Sequence, residues 1–440
     1  MEKFVITGGK PLKGTVTVGG AKNVAMKVIL AGLLTEEPIT VHNVPQISSV
    51  LGTTKIVEPL GVHIKHINHT LHIKAQKLTE HKVPLELGGL FRTAPMVMGP
   101  LLARFGHAVV PNPGGCRLGK RPINRHIEAL SEMGAQIEYK AGYFVGTGKL
   151  HGARINFEKN THTGTETIIL AAVLADGETI IENAAQEPEV DDLITMLNQM
   201  GASIHRSEKT ITIRGVKSLG GTEFSIMPDR NEVVTWVACA IATGGDIVIH
   251  GTQRQYLKSF LASLDLAGGG WEAVDATSTR FYWKEKLKAT QIITLPHPGF
   301  MTDWQAPWAV LMTQAQGTSS IHETVFESRF SYVSELRKMG AKIDFFDPEV
   351  KSPQTVYNFD WKDRIPGYHQ GIKIHGPTPL HEAVVEITDL RAGATLVVAS
   401  LAAKGESVLL GVEHIDRGYE QFDEQLIKLG ATVKRMEEDL

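Results

Sequence analysis

The sequence predicts an α/β protein of two domains, each made of three copies of one unit in which strands surround a buried helix. Three observations carry that prediction. A helix ending of apolar residue, glycine, small residue and β-branched or bulky residue recurs six times, at Gly61, Gly134, Gly201, Gly268, Gly340 and Gly430. Between these endings lie six mostly apolar segments of similar length. The chain has 440 residues, more than one hydrophobic core ordinarily holds.

The endings read PLGVHI, EMGAQI, QMGASI, LAGGGW, KMGAKI and KLGATV. Glycine stops a helix in the left-handed conformation, and the alternating run after it reads as a strand. The apolar segments are AKNVAMKVILAGLLTEEPITVHNV, FRTAPMVMGPLLARFGHAVVPN, TGTETIILAAVLADGETIIENA, DRNEVVTWVACAIATGGDIVIHG, TDWQAPWAVLMTQAQGTSSIHET and TDLRAGATLVVASLAAKGESVLLGV. Each reads as a helix of about four turns, then a glycine or polar turn, then a short β-branched strand. Helix and ending together make a unit of roughly 70 residues. The helices are apolar on every side, so they belong inside a domain.

The starts of these helices carry Lys22 and Asn23, Arg92, Thr165 and Glu166, Arg230 and Glu232, Asp303, and Asp389 and Arg391. If the helices of a domain run parallel, their N-termini share one face, where exposed N–H groups and the positive dipole ends attract anions. Thr165, Glu166 and Glu232 fit equally well as helix caps. Arginine and lysine at a helix start oppose the dipole and imply an anionic partner.

The loop PNPGGCRLGKRP, residues 111 to 122, places Cys116 after the flexible pair Gly114 and Gly115 and beside Arg117, Lys120 and Arg121. Cations favour thiolate over thiol, so Cys116 is expected to be reactive, with a pKa that rises when a bound dianion offsets the cations. Cys239, inside WVACAIA, is expected to be core.

The formal net charge is −3, which argues against a protein that coats nucleic acid. With two cysteines no disulfide framework is implied. No apolar run reaches the roughly 18 residues of a membrane span, and the first residues lack the apolar core of a signal peptide, so an intracellular protein is expected. The 18 histidines show no metal-ligand spacing, and His297, His322 and His414 read as loop or interdomain hydrogen-bonders. A stretch of about residues 345 to 371 is longer than the corresponding linkers and reads as a surface insertion without an assigned role.

PLKGTVTVGGAKNVAM, GGCRLGKRP, HPGFMTDWQAP, FESRF, ITDLRAGAT and HIDRGYE occur in order from the first ten residues to the last thirty. Together they resemble the UDP-N-acetylglucosamine 1-carboxyvinyltransferases, enolpyruvyl transferases of peptidoglycan synthesis. The resemblance implies an inside-out α/β barrel: two domains, each of three βαβαββ units around buried parallel helices. It implies domain limits of 22–228 for the first, and of 1–21 with 229–440 for the second. The implied reaction adds the sugar 3′-hydroxyl to C2 of phosphoenolpyruvate and then expels phosphate, without metal or organic cofactor. Its partners are small-molecule substrates, with no nucleic acid, membrane or obligate protein partner, in the cytoplasm.

By the same resemblance Cys116 is the proton donor and Asp303 the base at the attacking hydroxyl. Lys22, Asn23, Arg121, Arg391 and Arg417 are implied to bind phosphoenolpyruvate. For UDP-N-acetylglucosamine the implied contacts are Asn23, Arg92, Arg121, Pro122, Ile123, Asn124 and Arg125. Asn160, Thr161, His162, Thr163, Asp303 and Val325 complete that set. The family commonly has aspartate at Asn124 and Ser49 and an aliphatic residue at Arg125, departures that bear on the choice of acceptor. A transferase for another acceptor, or a non-catalytic nucleotide-sugar sensor, are the alternatives.

Overall fold

The computed structural model describes residues 2–113, 123–362 and 364–437. Two compact units emerge: one gathers the chain up to Gly19 and from Pro228 onward, and the other lies between Gly20 and Met227.

In the Gly20–Met227 unit three sheets repeat one pattern. Thr222–Ser225 runs parallel to Ile39–His42, which pairs antiparallel with Thr70–Lys74 and, through it, His63–Ile67. Arg154–Asn156 stands likewise beside Glu178–Glu182, Thr210–Arg214 and Ser203–Ser207. The third sheet is His107–Pro111, Tyr143–Thr147 and Gln136–Lys140, with a parallel bridge from Lys82 to Val109 in the edge position. The buried helices are Lys22–Ala31, Met98–Phe105 and His162–Ala172. The second and third approach so closely that a Cβ on Gly99 would lie 2.7 Å from the Thr167 carbonyl oxygen, so only glycine fits there.

The other unit repeats the pattern. Lys13–Thr17, Gln291–Ile293 and Val384–Glu386 are the parallel edges beside Asp246–His250, Gly317–His322 and Glu406–Leu410. Its buried helices are Arg230–Ala242, Gln305–Thr313 and Leu390–Ala402. Every residue from Arg230 to Ile241 is buried. Each large apolar side chain so removed from water contributes about 1.5–3 kcal/mol, which is why a helix with no polar face is stable here and would not be in solvent. Trp304, Trp308, Phe260 and Phe300 pack edge to face between the helices and their sheets.

All six helix-ending glycines are left-handed, with φ of 102° at Gly61, 98° at Gly134, 97° at Gly201, 83° at Gly268, 95° at Gly340 and 94° at Gly430. Two buried helices are shorter than the apolar runs predict. The second begins as a 3-10 turn, Ala94–Val97, and the fifth as Thr302–Trp304. Pro100 and Pro307 explain this: lacking an N–H, each is accommodated in the first turn of the α-helix proper, so the residues before it tighten into a 3-10 turn.

Three strands sit outside the copy that the chain order suggests. Lys13–Thr17 precedes the first buried helix yet pairs with Asp246–His250 of the fourth copy, while Thr222–Ser225 precedes the fourth and pairs within the first. The sixth copy is completed by the first strand of the chain, Glu2–Thr7, between Glu406–Leu410 and Thr432–Glu437.

Candidate active site

In the unit from Pro228 onward, charged side chains meet at the starts of the buried helices. Asp229 caps the fourth helix by accepting from the N–H groups of Asn231 and Glu232, and Asp389 caps the sixth by accepting from those of Arg391 and Ala392. These carboxylates answer the helix dipoles and allow arginine to follow at the next positions. Asp303, in the 3-10 turn of the fifth, lies between two guanidiniums. Its Oδ1 accepts from Arg329 Nη2 at 2.5 Å and its Oδ2 from Arg391 Nη2 at 3.2 Å. Arg391 also donates from Nη1 to the Tyr419 hydroxyl at 3.0 Å, which lies 2.7 Å from Thr235 Oγ1. Burial opposes the charge of Arg391, but Asp303, Tyr419 and Asp229 outweigh it and its pKa rises further.

The Asp303 carboxylate remains 24% exposed while Arg329 and Arg391 are nearly closed off, so the acid is the member of the trio that a ligand can reach. Beside it, Thr302 donates to Glu323 Oε2 at 2.8 Å, and Glu323 Oε1 accepts from the N–H groups of Val325 and Phe326. That carboxylate thus ties the Val325 turn to the residue preceding Asp303. Arg417 is two residues before Tyr419, half-buried, and among the described residues its side chain has no hydrogen bond or ion pair.

The Gly20–Met227 unit arranges its residues differently. Lys22 and Asn23 open the first buried helix, where Ala21 provides no side-chain cap and no acid lies in the first turn. Thr161 caps the third by accepting from the Gly164 N–H. His162 Nε2 is 3.2 Å from Glu166 Oε1, and Glu166 Oε2 is 3.1 Å from Lys27 Nζ, with Lys27 and Glu166 fully buried. Burial works against the Glu166 carboxylate, yet His162 and Lys27 more than offset it and its pKa falls; burial likewise opposes the His162 imidazolium, and Glu166 holds its pKa up.

Ile123 precedes the helix Asn124–Glu132, on which Asn124 is exposed and Arg125 half-buried. His126 Nε2 lies 3.1 Å from Thr163 Oγ1, joining this helix to the start of the third buried helix. Burial first, then the charge of Arg92 and that of Arg125, hold the His126 imidazole down at about 4. Arg92, Arg125, His126 and Thr161 to Thr163 therefore form one neighbourhood, with Asn160 preceding the cap. Ser49 is buried in the first turn of Ser48–Val57, and its carbonyl accepts from Thr53 Oγ1 at 2.9 Å.

Cys116, Arg121 and Pro122 lie outside the described residues. Cys239 is fully buried, and burial pushes its thiol far above the usual range. His297 Nδ1 is 2.8 Å from Arg230 Nη1 and His322 Nε2 is 3.1 Å from the Tyr357 hydroxyl, whereas buried His414 Nδ1 has no partner among the described residues. Among the described residues no group of three or more His, Cys, Asp and Glu side chains could hold a metal ion, and no helix is long and apolar enough to cross a membrane. Arg329, Tyr419 and Lys27 were not singled out from the sequence. Arg329 and Tyr419 stand inside FESRF and HIDRGYE, and Lys27 is a charge interrupting an apolar helix, which was the available signal.

The family model for EPSP synthase (3-phosphoshikimate 1-carboxyvinyltransferase) matches residues 6–426. The UDP-N-acetylglucosamine 1-carboxyvinyltransferase of Idiomarina loihiensis is 42% identical over 446 aligned residues, covering 99% of this chain and 100% of that one. That of Magnetococcus marinus is also 42% identical, with the same coverage, and that of Lawsonia intracellularis is 41% identical over the whole of both chains. Among solved structures, the enolpyruvyl transferase NikO from Streptomyces tendae superposes with a TM-score of 0.86 at 24% identity, over 99% of this chain and 98% of that one. EPSP synthase from Acinetobacter baumannii gives 0.73 at 20% identity, over 99% and 100%. These structural likenesses speak to the fold, and the sequence identities to kinship: the chain belongs to the enolpyruvyl transferase family and, within it, to the UDP-N-acetylglucosamine 1-carboxyvinyltransferases.

Proposed function

We propose that this enzyme transfers the enolpyruvyl group of phosphoenolpyruvate to the 3′-hydroxyl of UDP-N-acetylglucosamine with release of phosphate, the first committed step of peptidoglycan synthesis, in the cytoplasm. The observation that carries this reading is the 42% identity to enzymes of that name, sustained from end to end of both chains. The geometry supports it. The reaction needs an ionised carboxylate at the attacking hydroxyl, cations on the phosphate and carboxylate of phosphoenolpyruvate, and a proton for C3 of the alkene.

Asp303 is the base in this scheme. Two guanidiniums pair with its carboxylate, and its exposed edge can accept the hydroxyl proton as the oxygen attacks C2. Arg391, with Lys22, Arg121 and Arg417, clamps phosphoenolpyruvate; turning toward that anion loosens its 3.2 Å bond to Asp303 and leaves the carboxylate more basic. Cys116 gives its proton to C3 in the addition, and a C3 proton is lost again as phosphate leaves, which restores the alkene in the product. Asn23, Arg92, Pro122 to Arg125, Asn160 to Thr163 and Val325 hold the sugar nucleotide.

Phosphate release tests the reading: activity with phosphoenolpyruvate and UDP-N-acetylglucosamine, and none with shikimate 3-phosphate as acceptor, is the expected result. The reverse preference would move the chain to another acceptor, and no release with either would leave a binding protein. The role of Cys116 is tested with fosfomycin, whose phosphonate fits the cationic clamp beside the thiol. Intact mass should rise by one adduct mapped to Cys116, and an adduct on buried Cys239 would remove that role.

A further inference from the structure

The segment between the strands Ile343–Phe346 and Gly371–Gly376 is not a loose surface insertion. Tyr357 is 1% exposed and its ring stacks on Trp361 at 4.4 Å and 7°, with the Arg364 guanidinium 4.0 Å from the other ring's centre. The segment is bonded at several points to one short turn, residues 323 to 327. Glu323 N–H donates to the Gln370 carbonyl at 2.8 Å, and Gln370 Nε2 donates to the Glu327 carbonyl at 2.9 Å, so one residue grips both ends of that turn. Asn358 N–H donates to the Thr324 carbonyl at 2.8 Å, the Ile365 N–H donates to Glu327 Oε1, and the Tyr357 hydroxyl meets His322.

The same turn presents Val325, holds Thr302 through Glu323, and leads two residues on to Arg329, the partner of Asp303. Glu323, Glu327 and Gln370 are all buried, where an unmade hydrogen bond is costly and geometry is correspondingly fixed. We infer that residues 347 to 370 position the acceptor side of the active site, with Gln370 and Tyr357 as positioning residues that fix the Val325 turn. This rests on the proposed function for the identity of the acceptor, and on the hydrogen bonds together with the packing of the Tyr357 ring on Trp361 and His322 for the fixing of the turn.

Gln370→Met keeps the side-chain volume and removes the Nε2 donor. It should raise the KM for UDP-N-acetylglucosamine by roughly tenfold, the size of one lost buried hydrogen bond, and leave the KM for phosphoenolpyruvate within about twofold. Tyr357→Ala should do the same, and Tyr357→Phe, which retains the stacked ring, should restore the acceptor KM to within about twofold of the parent. In the free protein, amide exchange of Val325 and Phe326 should quicken in Gln370→Met, because their bonds to Glu323 depend on the turn staying in place. If the parent enzyme ignores UDP-N-acetylglucosamine, the proposed function fails, and the exchange comparison still decides the positioning. Unchanged exchange at Val325 and Phe326, or KM values for both substrates rising together, would overturn the inference.

Discussion

The two units share one architecture and treat the starts of their buried helices in opposite ways. From Pro228 onward, carboxylates cap two of the three helices and a third carboxylate, Asp303, sits at the first turn of the remaining one, held by two arginines. Between Gly20 and Met227 no carboxylate caps a buried helix: Ala21 and Thr93 make no side-chain cap bond, and Thr161 offers a hydroxyl. Glu166 lies one turn inside its helix, buried against Lys27, with the partly exposed His162 beside it. A repeated backbone thus supplies the same dipole ends twice, and side chains decide whether they are neutralised from within or left for an anionic ligand. The carboxylate of one cluster can be reached by a ligand and that of the other is buried.

If the buried Lys27–Glu166 pair is structural, Lys27→Met should give the largest loss of stability, about 3–5 kcal/mol, because it leaves Glu166 buried with only His162. Adding Glu166→Gln should recover part of that loss. Chemical denaturation of the single and double variants measures both, and a double variant less stable than Lys27→Met would mean that Glu166 and Lys27 are not a compensating pair. Arg329→Met, the counterpart in the other unit, should cost less stability, since Asp303 keeps Arg391 and part of its hydration.

For the Asp303 cluster the loss should be in rate. Asp303→Asn should lower turnover by roughly 10²-fold, the scale of a missing acid or base, while UDP-N-acetylglucosamine binding stays within about tenfold. Calorimetric titration beside steady-state kinetics separates the two, and an unchanged turnover number would assign the base to another group.

The smallest effect is hidden by cancellation. Buried Glu232 titrates at about 7, raised from 4.5 chiefly by burial, so between those values the folded state holds the extra proton and stability falls as pH rises. His126 titrates at about 4, lowered from 6.5, so over that interval the unfolded state holds the extra proton and stability rises with pH. The two slopes oppose each other between about pH 4.5 and 6.5. Glu232→Gln should therefore steepen the rise of Tm with pH over that window, and His126→Gln should turn it downward. Parallel Tm profiles in the parent and both variants would show that neither group is linked to folding.

Six glycines that end helices, six helices with no polar side, and the charged residues at their starts follow from short-range patterns that a sequence displays directly. The candidate roles of Asp303 and Arg391 came instead from the family resemblance, which contiguous motifs carry. What only the tertiary structure decided are pairings between distant segments. Glu2–Thr7 fills a place in the last copy because its edges match strands about four hundred residues later, and no local periodicity encodes that partner. Lys27 had no assigned role until packing placed Glu166 and His162 beside it, nor had Arg329 until its chain turned back onto Asp303. The 345–371 stretch read as a surface insertion because it is longer than the corresponding linkers; its hold on the 323–327 turn lies in hydrogen bonds between segments distant in the chain, some from the backbone and some from Gln370 and Glu327, which no local pattern announces.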